Sequence, residues 1–117
     1  MSAQFEITKS SNFVLVKISG RIISDEGLAE ALDAVEKSLA ADLKAVLCDC
    51  SKLEYCNSTG LNFFVRILTR SRKVGLDCVL INLQPSVKKL FEISKLDEIF
   101  SCFNSTDEVE AKFNKVK

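Results

Sequence analysis

Between Ala45 and Cys50 the chain reads AVLCDC, a nearly unbroken apolar run of strand length. A few residues later Asn57-Ser58-Thr59 opens a second, longer apolar stretch. A short run with apolar side chains at both odd and even positions suits a strand buried on both faces. Such strands belong to parallel sheets, where each return to the same edge needs a crossover helix in place of a tight turn. The flanking chain must therefore alternate strands with helices.

It does so in order. Phe5 and Ile7 alternate with Glu6 and Thr8, the period of a half-buried edge strand. Ser10-Ser11-Asn12 reads as a tight turn. In Phe13 to Ser19, Val14, Val16 and Ile18 take one face and Phe13, Leu15 and Lys17 the other, so the two segments form an antiparallel hairpin. Gly20 is expected to end that strand. The loop Arg21-Ile22-Ile23 then leads to Ser24 as the cap of a first helix, with Asp25 and Glu26 in its first turn. Leu28, Ala31, Leu32, Val35 and Leu39 make its apolar face. Asp42-Leu43-Lys44 turns the chain into the Ala45–Cys50 strand, completing a strand, helix, strand unit.

In the helix after Ser58, Leu61, Phe64, Val65 and Leu68 share the face expected to lie on the sheet, with Asn62, Arg66, Thr69 and Arg70 opposite. Phe63 and Ile67 flank the core face, and the pattern leaves open whether they are core or the rim of a docking surface. Gly75 closes the helix, and Asp77 to Ile81 is a further buried strand. Pro85 starts a third helix with Val87, Leu90, Phe91 and Ile93 inward. Ile99 to Phe103 reads as a final strand. Thr106 caps a last helix with Asp107 and Glu108 in its first turn and Val109 and Phe113 facing inward. The expectation is an α/β fold: a mixed, mainly parallel sheet of about five strands, an N-terminal antiparallel hairpin and four helices, with residues 1–117 as a single domain. Functional loops in such folds lie at the carboxyl ends of the parallel strands, here Arg21 to Ser24 and Ser51 to Ser58.

Composition narrows the chemistry. Lysine plus arginine equals aspartate plus glutamate at 16 each, so the broad positive field used for nonspecific nucleic-acid binding is missing. The start shows no basic segment followed by an apolar core, and no apolar run nears the ~20 residues of a membrane span, so a cytoplasmic protein with no membrane insertion is expected. The 5 cysteines are an odd number without paired spacing, and they read as free, buried thiols in a reducing compartment. With 0 histidines and no CxxC, neither a metal site, a Cys/His nucleophile nor a bound cofactor finds support.

Ser58 is the residue of interest. A phosphate there would add roughly −1.5 to −2 charges at a helix start, where free N–H groups and the dipole tolerate an anion. Local sequence alone also permits a plainer role, with Asn57 or Ser58 capping the helix. Both hold together if Asn57 caps and the Ser58 hydroxyl stays exposed. Gly60 is either tolerated in the first turn or lets a partner backbone approach. Arg66, Arg70, Arg72 and Lys73 form either a solvated basic face or a surface for an acidic partner.

Several blocks resemble the STAS domains, in particular the stand-alone anti-sigma-factor antagonists: Ile18-Ser19-Gly20, Val46-Leu47-Cys48-Asp49 with Ser51, Cys56-Asn57-Ser58-Thr59-Gly60-Leu61, and Val87 to Ser94. The central block is similar to the family's D-S-[ST]-G-L signature, with Asn57 at its acidic position. Lys95 stands where a glycine is common. The resemblance implies a noncatalytic regulator, without catalytic residues of its own, that binds an anti-sigma serine kinase of the GHKL type and is switched off by phosphorylation at Ser58, with Thr59 as second choice. It further implies a PP2C-type phosphatase as resetting partner. The expected partner surface comprises Ile23, Ser24, Asn57, Ser58, Thr59, Gly60, Phe63, Arg66 and Ile67. A weak homodimer is left open. The alternative function is a STAS subunit docking on an ABC-type transporter ATPase.

Overall fold

The computed structural model describes residues 3–103, 107–109 and 111. Five strands form one sheet in the order β1-β2-β3-β4-β5: β1 (Gln4–Lys9), β2 (Phe13–Ile22), β3 (Ala45–Cys56), β4 (Asp77–Ile81) and β5 (Ser101–Phe103). The β1–β2 pair is antiparallel and the other pairs are parallel. Three helices cross over between the parallel strands, α1 (Leu28–Ser38), α2 (Ser58–Lys73) and α3 (Pro85–Ile93). A turn of 3-10 helix, Leu96–Glu98, precedes β5. Residues 107–109 and 111 belong to a fourth helical segment, and the expected Thr106 cap and inward Phe113 lie outside the described residues.

Because the parallel strands follow one another across the sheet, right-handed crossovers place α1, α2 and α3 on the same face. The packing agrees. Val14, Val16, Ile18, Cys48, Cys50, Cys78 and Leu80 meet all three helices in the main core. The alternate residues, Phe13, Ala45, Leu47, Val79 and Ile81, form a smaller core on the other face, where Val109 is fully buried. Aromatic rings run through the main core from Phe5 to Phe63, Phe64, Phe91 and Phe100, at centroid separations of 5.3, 5.9, 5.5 and 5.8 Å.

Several boundaries depart from the sequence reading. β3 runs on to Cys56 where a loop from Ser51 was expected, and β2 passes through Gly20 to Ile22. The two extensions pair with each other, from Ser19↔Lys52 to Ile22↔Cys56, with register shifts at Lys17/Ser19 and Gly20/Arg21. Each shift adds one residue to β3, which breaks the period-two signal. Cys50, Leu53 and Cys56 therefore all point into the core although they lie three apart.

Ser24 does not cap α1. The Gly27 backbone sits in the left-handed region, with φ 78°, and a right-handed helix cannot continue through it, so α1 begins at Leu28. Ser24 instead accepts the Glu26 N–H at 3.3 Å in a local turn containing Asp25 and Glu26. Ile93, expected inward at the end of α3, is 69% exposed. The last strand starts at Ser101 rather than Ile99, since Ile99 ends the 3-10 turn. At the end of α2, Gly75 adopts φ 83° while the N–H groups of Gly75 and Leu76 reach back to Arg72 and Ser71, as its stop signal implied.

Candidate functional site

The carboxyl ends of β2 and β3 bring Ile23 and the Asn57-Ser58-Thr59 segment together. Asn57 is the N-cap of α2: its Oδ1 accepts the N–H groups of Thr59 at 3.0 Å and Gly60 at 3.4 Å. Its own N–H donates to the Ile22 carbonyl at 3.1 Å, and its Nδ2 donates to the Ile23 carbonyl at 3.1 Å. Ser58, the first residue of α2, is exposed. Among the described residues, neither its hydroxyl nor its N–H has a hydrogen-bond partner. The capping work falls to Asn57, and the Ser58 hydroxyl is left over. Thr59 is half-buried, so Ser58 is the more accessible of the two hydroxyls.

Ile23 (49% exposed) and Ser24 stand in solvent beside this helix start. Arg66 is exposed two turns further along α2. Between the turn before α1 and the first turns of α2 lies a groove of about 220 Å³, floored by Leu28, Leu32 and Phe63 and edged by Asp25, Thr59 and Arg66. The expected basic face is partly spent within the chain. Arg70 Nε lies 2.6 Å from Glu36 Oε1 on α1, and Arg72 donates to the Ile99 carbonyl at 3.2 Å.

Three residues expected in the partner surface are internal. Phe63 is 2% exposed and Ile67 fully buried, because the helix turns its Phe63–Ile67 side toward α1 and the edge strand, where Phe63 packs against Phe5. They form the base beneath the surface and not its rim. Gly60 is buried as well. A Cβ there would meet Cys56 and Ile22, so the glycine is needed for contact between helix and strands within the chain. Leu61 and Val65, expected with Phe64 and Leu68 on the face that packs on the sheet, are only partly buried.

Tyr55 was missed by the sequence reading. It is 37% exposed and opposite Arg21, whose guanidinium carbon stands 5.1 Å from the ring centroid. With Ile23 it gives the Ser58 end of the sheet an exposed aromatic and aliphatic fringe. No local signal marks this pairing, since it depends on both register shifts in β3.

No described side chain hydrogen-bonds the Ser58 hydroxyl to activate it. Burial pushes the Cys56 thiol, beneath Gly60, up to about 11, far from a thiolate at neutral pH. Among the described residues, no three His, Cys, Asp or Glu side chains are grouped to hold a metal ion. No described helix is long and apolar enough to cross a membrane. A second cavity, of about 270 Å³, lies along β1, β2 and β3 and is lined by Lys17, Asp49 and Lys52 among others.

Residues 4–109 match the STAS domain family. The chain belongs to that family. Among curated relatives, BtrV of Bordetella bronchiseptica, named as an anti-sigma factor antagonist, is 33% identical over 104 residues, covering 83% of this chain and 90% of its own. The fold is similar to that of the antagonist SpoIIAA in its unphosphorylated form, with a TM-score of 0.79 at 14% identity over 97% of this chain and 99% of that one. The phosphorylated form of the Bacillus SpoIIAA gives 0.69 at 14% identity over 93% and 98%. The murine anion transporter Slc26a9 contains the same fold as a part, with a TM-score of 0.78 at 12% identity over 92% of this chain and 18% of the transporter.

Proposed function

We propose that this protein is a noncatalytic cytoplasmic switch, an anti-sigma-factor antagonist that binds an anti-sigma serine kinase of the GHKL type while Ser58 is free and loses it when Ser58 carries phosphate. The observation that carries the reading is the division of labour at the start of α2. Asn57 satisfies the second and third N–H groups of the helix, and Ser58 is exposed, its hydroxyl and N–H without a hydrogen-bond partner among the described residues. Phosphate on that hydroxyl gains the helix dipole and an unclaimed donor, so the fold tolerates it. A partner seated on Ile23, Ser24, Ser58, Thr59 and Arg66 would have to desolvate a dianion, which is enough to abolish binding without refolding either protein.

Nucleotide and Mg²⁺ belong to the kinase in this scheme, and a PP2C-type phosphatase resets Ser58. Thr59 is the second-choice acceptor. BtrV supports the antagonist reading at an identity where fold likeness alone no longer carries the comparison. The likeness to a segment of Slc26a9 keeps a transporter-docking role, such as contact with an ABC-type ATPase, as the second reading. Incubation with the GHKL kinase that copurifies with the protein, followed by peptide mass spectrometry, tests the switch. One phosphate on Ser58 and its loss in Ser58→Ala are expected. A Ser58→Ala protein modified to the same extent overturns the assignment, and copurification with a transport ATPase in place of a kinase overturns the switch itself.

A further inference from the structure

The side chain of Asn57 faces two ways. Its oxygen takes the Thr59 and Gly60 N–H groups, and its nitrogen, on the far side of the amide, donates to the Ile23 carbonyl. The amide has a single sensible orientation, because the partners of Oδ1 are donors and the partner of Nδ2 is an acceptor. Hydrogen bonds accepted by residues 23–26 are otherwise local: Glu26 N–H to Ser24 Oγ, and the N–H of Leu28, the first residue of α1, to the Asp25 carbonyl. Among the described residues, Asn57 Nδ2 is the one hydrogen-bond donor from beyond Leu28 that holds residues 23–26.

We propose that Asn57 is a positioning residue that locks the β2–α1 segment to the start of α2, so that exposed Ile23 and Ser58 are presented as one preformed contact surface, and that an aspartate cannot take its place. A carboxylate would cap α2 at least as well, since it accepts the same two N–H groups and sits at the positive end of the helix. Its second oxygen, however, would face the Ile23 carbonyl, acceptor against acceptor, and the segment would be released. A partner binding the released form must order it first, which lowers affinity. The functional half of this proposal rests on the reading of the Ser58 region as a partner surface. The clamp itself does not.

Backbone ¹⁵N relaxation and amide exchange on the isolated protein separate capping from clamping. In Asn57→Asp, order parameters at Ile23–Glu26 are expected to fall from about 0.85 to below about 0.6, while Thr59 and Gly60 keep their exchange protection. Asn57→Ala is expected to lose both. Lowering the pH until the introduced carboxyl is protonated restores an O–H donor toward the Ile23 carbonyl, so segment order should recover in Asn57→Asp. The wild-type segment, which carries the titrating Asp25 and Glu26 as well, sets the baseline. Unchanged order at Ile23–Glu26 in Asn57→Asp overturns the clamp, and so does equal loosening of the segment and the cap in that variant. Finding no phosphate on Ser58 would remove the switch and leave this result standing.

Discussion

A Cβ added at Gly60 would lie 2.6 Å from the Cβ of Cys56 and 3.2 Å from Ile22 Cβ and Cγ2. The first turn of α2 therefore rests directly on the ends of β2 and β3, and Ser58 is held by backbone packing rather than by contacts of its own. Gly60→Ala sets two effects against each other. Alanine favours a helix interior by about 1 kcal/mol, while forcing an extra carbon into a close-packed contact costs about 1–3 kcal/mol. Both Cβ neighbours are fixed to strand backbone, so the steric cost should win, with a net loss of up to about 2 kcal/mol. A fall in the urea midpoint at constant m-value is the expected result. A gain in stability would show that the helix start can lift off the strands.

Ser58 should be nearly silent in the same assay. Among the described residues its hydroxyl has no partner, and Asn57 already caps the helix, so Ser58→Ala is expected to change stability by less than about 0.5 kcal/mol. Ser58→Glu places a negative charge at the positive end of α2 and should be neutral or stabilising by about 0.3–1 kcal/mol at low ionic strength. Loss of about 1 kcal/mol or more in Ser58→Ala would assign the hydroxyl a capping role after all.

Most of the architecture was legible in the sequence because apolar periodicity survives wherever an element is regular. The hairpin, the buried β3 start, the apolar helices and their order follow from it, and so does the position of Ser58 at a helix start. What stayed hidden is irregular or non-local. The extension of β3 has inward residues three apart, which reads as loop. Gly27 delays α1 through a left-handed conformation that sequence permits but does not demand. The two-way hydrogen bonding of Asn57 depends on Ile23, 34 positions away, and no local pattern encodes it.

Lys95, noted in the sequence as standing where glycine is common, adopts φ 62° and ψ 16° directly after α3. A side chain in the left-handed region costs roughly 1–2 kcal/mol, and glycine returns about 0.5–1 kcal/mol of that as extra freedom in the unfolded chain. Lys95→Gly should therefore stabilise the protein by about 0.5–1 kcal/mol, raising the melting temperature by ~2–5 °C. An unchanged or lower melting temperature would mean that the lysine side chain makes up the backbone cost.

The thiols give the protein a definite alkaline limit. Cys48, Cys50, Cys56 and Cys78 are fully buried and Cys102 is exposed. Burial, then the neighbouring Cys48, pushes the Cys50 thiol well above its ordinary value. For Cys78 the hydrogen bond with Cys48 leads, followed by burial. Burial raises Cys56 from 9.0 to about 11. At pH 8 a thiol reagent should label Cys102 alone in the native protein and all the cysteines once it is unfolded. A raised thiol pKa means that the unfolded chain loses its proton first. This contribution to stability is complete below pH ~9 and is lost as the pH rises through the folded value. For Cys56 that window runs from 9.0 to about 11. Urea midpoints measured across it should decline, and Cys56→Ala should decline less steeply, because the shift at this one site is worth about 2–3 kcal/mol. Equal slopes for the two proteins would mean that the thiol beneath Gly60 reaches solvent, and with it that α2 does not seal the strand ends under Ser58.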